Sequence, residues 1–118
     1  MDMYIFNLIM SIKQRPKMYL KEEKIEYIYY LLSGYCGANN LEKKDDIDSK
    51  FMIWFGKWLI WWIQENIDKD YEIKTAFWYE DIKRISKDEN NECVLFYELC
   101  QKFYDDYMDK KGYFEWRK

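Results

Sequence analysis

The chain of 118 residues contains no histidine. Histidine is the side chain that titrates nearest neutrality and the commonest metal ligand. Without it, Ser–His and Cys–His nucleophile pairs are excluded within the chain. Cysteine is sparse as well, and Cys36, Cys93 and Cys100 form no C-x-x-C pair. Cys93 and Cys100 lie seven apart, ~10 Å of rise on a helix, and share neither a metal nor a disulfide there. An odd number of thiols, with Asp2 where a secretion signal would carry positive charge, gives the expectation of reduced cysteines in a cytoplasmic protein. Basic charge is not in excess: 19 Lys and Arg against 22 Asp and Glu leave −3. That balance argues against a nucleic-acid partner, which normally calls for a basic face. Also missing are a glycine-rich phosphate loop and an apolar run of the ~20 residues that a membrane span needs. Asp68, Asp70 and Glu72 alternate as in a calcium loop, but Ile73 and Tyr79 stand where that loop requires glycine and glutamate. The residues therefore predict no catalytic site, no metal, no cofactor and no membrane partner.

What the chain has in abundance is aromatic: six Trp, twelve Tyr and seven Phe, 21% of all residues. They concentrate in Phe51–Ile63, FMIWFGKWLIWWI, where Lys57 is the one charged residue. The run is too long for a typical strand, so it predicts a central helix buried nearly all round. The other segments read as helices laid against it. A first helix runs to Gln14, with Asp2 as its cap, and Pro16 stops it. Met18, Tyr19 and Leu20 follow, apolar enough to fold back onto the core. A second helix spans Glu22–Ala38, with Ile25, Ile28, Leu32 and Tyr35 on one face. Gly34 inside it implies either a close approach near Gly56 or fraying from Gly34 to Gly37. Asp48 or Ser49 caps the central helix, which ends near Asn66. A fourth helix covers Thr75–Ser86, and a fifth runs from Asp88 or Asn90 to Lys110 with Phe96, Leu99, Cys100, Phe103 and Tyr107 buried. The expectation is an all-α fold: one domain, residues 1–118, a bundle of about five helices around a Trp-rich centre.

RPKMYL at 15–20, IEYIYYLLSGY at 25–35, the Trp-rich helix and LFYELCQKFYDDY at 95–107 together resemble a group of small bacterial proteins. These share an R-P-x-M-Y-L start, an apolar helix ending in G-Y, and an aromatic last helix. Some look like immunity proteins, which neutralise a bacterial toxin by binding it. The resemblance implies a helical fold and a cognate protein toxin as partner, and it brings no catalytic residue with it. Abundant Ile, Lys, Asn and Tyr agree with a bacterial, AT-rich coding sequence.

Three groups of residues are candidates for contact. Trp54, Trp58, Trp61 and Trp62 share one helical face, with Phe55, Leu59 and Ile63 on another. Both faces read as core, but an exposed Trp58 or Trp62 would serve as a partner anchor, since Trp and Tyr dominate interface hot spots. The last helix is acidic, six carboxylates against Lys102 between Asp88 and Asp106. Glu98, Asp105, Asp106 and Asp109 lie opposite its apolar stripe and either form a solvated face or meet a basic partner such as a nuclease cleft. Lys13, Arg15, Lys17, Lys21 and Lys24 cluster around Tyr19 but are offset by Glu22, Glu23 and Glu26. The functional expectation is an immunity protein occluding a toxin. The alternative is a regulatory or scaffold domain binding another protein, and the Trp-rich surface leaves a homodimer open.

Overall fold

The computed structural model describes residues 4–40 and 47–117, and its regular elements are all helices, joined by turns and irregular loops. There are five α-helices: α1 (Tyr4–Gln14), α2 (Ile25–Asn40), α3 (Ile47–Asn66), α4 (Trp78–Ile85) and α5 (Glu92–Asp109). Short 3-10 turns occupy Pro16–Met18, Glu89–Asn91 and Gly112–Arg117. The all-α architecture expected from the sequence is the one observed.

Helix α3 is central, and α1, α2, α4 and α5 all pack on it. Its buried line is Ile47, Phe51, Phe55, Trp58, Leu59 and Ile63, while Ile53 and Lys57 face outward. So α3 has one exposed edge, where the sequence predicted burial nearly all round. The core is aromatic. Phe51 stacks on Phe55 at 5.2 Å, and Phe55 meets Trp78, Phe96 and Phe103 edge-on at 5.0, 5.7 and 5.5 Å. Trp78 lies parallel to Phe96 at 5.1 Å and so joins α4 to α5. Each fully buried large side chain contributes ~1.5–3 kcal/mol. Exposed ion pairs such as Lys24–Glu22 are screened by solvent and contribute little. The fold is therefore held by ring packing.

Several boundaries differ from the sequence reading. Asp48 and Ser49 lie inside the first turn of α3 and do not cap it. Asp48 instead accepts from the Ile5 backbone N–H at 2.7 Å and so satisfies a free donor at the start of α1. The proposed Asp2 cap lies outside the described residues. Only Leu20 of the Met18–Tyr19–Leu20 trio is buried. Its N–H bonds to the Pro16 carbonyl at 2.8 Å, and this tight turn leaves Met18 and Tyr19 exposed. Helix α2 begins three residues later than expected and continues through Gly34 and Gly37 to Asn40. A β-carbon at Gly34 would meet nothing within 4 Å, so no close approach explains this glycine. Gly56 faces Trp78, not α2. Helix α5 ends where Lys110 takes the left-handed conformation, φ 55°, before Gly112. Gly112, φ 56°, then turns the tail back so that Phe114 packs edge-on against Phe103 at 5.4 Å.

Candidate protein-binding surfaces

The acidic residues of α5 divide between two sides of the helix. Glu98, Asp105 and Asp109, at i, i+7 and i+11, line up along its exposed side. Val94 and Met108 are exposed beside them. Lys102 falls on the same line, Gln101 donates to Asp105 at 3.0 Å, and Lys111 lies 3.8 Å from Asp109. Asp106 is turned toward α3, half-buried, and accepts a 3.0 Å hydrogen bond from the Trp58 indole N–H. It is therefore a structural acceptor and leaves the outward acidic set. A groove of about 360 Å³ runs along this helix against α1, lined by Met10, Lys13, Tyr97, Glu98, Gln101 and Asp105 among others.

The tryptophans do not form one face. Trp58 is 0% exposed and belongs with Phe55 and Leu59 in the core, so it cannot touch a partner. The reason is position: it sits three residues beyond Phe55, on the α3 line that meets Phe103 of α5 edge-on at 5.6 Å. Trp62, one turn further, is half-buried and stacks on Trp58 at 6.2 Å. Trp54 leans on Tyr107 at 5.8 Å, and Trp61 packs against Tyr113 and beneath Gly112. Of the expected anchors, only Trp62 keeps an open edge. Beside Trp61 and Tyr113, a shallow groove of about 420 Å³ is lined also by Gly56, Ile60 and Ile73, with Lys57 and Gln64 as its polar members.

A second surface was not singled out from the sequence. Tyr29 and Tyr30 of α2 meet Phe77 and Tyr79 at the start of α4, with Tyr29 at 5.2 Å from Tyr30, 5.7 Å from Phe77 and 5.0 Å from Tyr79. Tyr30 is 56% exposed, Phe77 42% and the neighbouring Tyr27 40%. The signal was available: Tyr27 and Tyr30 fall off the Ile25–Ile28–Leu32 stripe, so two large rings had to face outward. The Tyr79 hydroxyl is pushed up to about 12, first by its hydrogen bond with Tyr30, then by desolvation and the nearby Tyr30, Glu80 and Glu26.

The remaining polar groups serve the fold. Asp81, almost fully buried, accepts from the Tyr71 hydroxyl at 2.5 Å and lies 3.4 Å from Arg84 Nη1, tying the α3–α4 connection to α4. Burial raises its carboxyl above the ordinary value, against the opposing pull of Tyr71 and Arg84. Lys83 bridges Glu26 and Glu92 at 3.2 and 3.6 Å. Burial pushes the Cys36 thiol up to about 11 and the Cys93 thiol to about 12, values that disfavour a reactive thiolate. The basic residues around Tyr19 are exposed, with Lys24 paired to Glu22. Among the described residues no group of three or more carboxylates or thiols could hold a metal, and no helix is long and apolar enough to cross a membrane. Comparison with models of protein families, with curated proteins and with solved structures finds no match.

Proposed function

We propose that this protein is a bacterial immunity protein that binds a toxin and holds it inactive by covering its active or binding surface. It performs no chemistry of its own on this reading. The observation that carries it is the line of exposed carboxylates Glu98, Asp105 and Asp109 on α5, which outnumber Lys102 on the same line, with Val94 and Met108 open beside it. A toxin that acts on nucleic acid must present a basic cleft to its substrate. An acidic, rigid helix fits such a cleft, steers the encounter and excludes neutral partners. The two exposed apolar side chains supply contact area that charge alone does not.

The test is the triple reversal Glu98→Lys, Asp105→Lys and Asp109→Lys, assayed against the purified toxin. All three side chains are exposed, so the helical content should not change. The expected result is an association rate at least about tenfold slower at low salt, with the difference shrinking as salt rises. An unchanged rate and affinity would remove this face of α5 from the contact.

A further inference from the structure

We infer that the aromatic patch between α2 and α4 is a second docking surface, and that its occupant is an arginine-bearing segment of the partner protein. The inference rests on the protein-binding reading above and names the chemistry of the contact. Tyr30 of α2 and Phe77, just before α4, are large, exposed rings joined through Tyr29 and Tyr79, and the exposed Tyr27 lies one turn before Tyr30 on α2. The ring pairs are edge-on or tilted at 5.0–6.2 Å. Rings wedged against one another are already ordered, so little freedom is lost when a ligand settles on them.

The occupant follows from charge. The face of an aromatic ring is negative and attracts cations. One cation already sits this way, with Lys24 Nζ 5.9 Å from the centre of the Tyr27 ring. Around the patch, Glu22 pairs with Lys24, and Glu26 and Glu92 share Lys83. Glu80, next to Tyr79, is opposed by Arg84 one turn along α4, so the carboxylates Glu22, Glu26, Glu80 and Glu92 exceed the cations Lys24, Lys83 and Arg84 by one. A phosphate backbone would be repelled by this excess. A second copy of the chain would set the same carboxylates face to face. A guanidinium suits both halves of the surface: its plane stacks on the rings and its N–H fork reaches a carboxylate or a tyrosine hydroxyl.

The full chain, labelled for aromatic-ring NMR, would be titrated with a capped pentapeptide alternating glycine and arginine, and with the same peptide carrying neutral citrulline. Saturable shifts confined to Tyr27, Tyr30, Phe77 and Tyr79 are expected, with the citrulline peptide binding about threefold or more weakly. The double variant Tyr30→Ala/Phe77→Ala should weaken the arginine peptide by a similar factor. Both side chains are exposed, and unchanged circular dichroism would show the fold intact. Equal response to the two peptides, shifts elsewhere, or shifts produced by raising the concentration of the chain itself would overturn the proposal. Neutralisation of a toxin with unchanged potency by Tyr30→Ala/Phe77→Ala would likewise remove the patch while leaving the immunity reading standing. Arginine-specific binding without any toxin partner would support the patch and count against that reading.

Discussion

Asp106 and Asp81 are carboxylates engaged inside the fold, and each engagement has a measurable consequence. Asp106 accepts from the buried Trp58 indole. Asp106→Ala leaves that N–H unpaired and is expected to cost ~1–3 kcal/mol, whereas Asp106→Asn keeps an acceptor and should cost less. Urea unfolding of the two variants would check this, and equal losses would contradict the assigned role. Asp81 is the second case. Its carboxyl is raised in the folded chain from the ordinary 3.8, first by burial. The folded state then binds the proton more tightly than the unfolded state. Its stabilising contribution is full below pH 3.8 and is lost as pH rises through the folded-state value. Asp81→Asn should therefore flatten the decline in stability just above that pH relative to the parent. Identical profiles would show that Asp81 is not desolvated as described.

At the scale of elements, glycines give the sharpest contrast. Gly34 lies within α2 with open space beside it. Gly34→Ala should stabilise the chain by ~0.5–1 kcal/mol, because alanine loses less backbone freedom on folding. Gly112 is the opposite: φ is +56°, and a β-carbon would lie 2.5 Å from Trp61 Cη2. Gly112→Ala should destabilise, and thermal melts of the pair should move in opposite directions. The five helices were legible because apolar spacing repeats over many residues, as in Ile25–Ile28–Leu32 and Phe96–Leu99–Phe103. Cap partners were less legible. Asp48 reads as a local cap, yet its acceptor serves Ile5 across the fold, a long-range choice that local propensity does not encode. Trp58 was misplaced as a partner anchor for a related reason. Helical spacing groups it equally well with Trp62 or with Phe55, and only the position of Phe103 decides. Glu98, Asp105 and Asp109 were correctly placed on an open face, since an apolar stripe fixes which side of a helix faces out. The surface built on Tyr30 and Phe77 was missed because Phe77 and Tyr79 come from the N-terminal end of α4, far away in sequence.

For the molecule as a whole, chemistry is concentrated in two surfaces and the interior is given over to packing. On the proposed reading, the acidic line of α5 and the aromatic patch of α2 and α4 would both meet a basic protein partner. Neither needs a histidine, a metal or a reactive thiol. The decisive measurement is capture of the tagged full chain together with the product of the neighbouring gene. Mass spectrometry would identify the bound protein, and that protein would then be expressed with and without this chain. The account predicts a stoichiometric, basic partner that arrests growth alone and is harmless in co-expression. A chain recovered by itself, or with a partner whose expression alone is harmless, would contradict it.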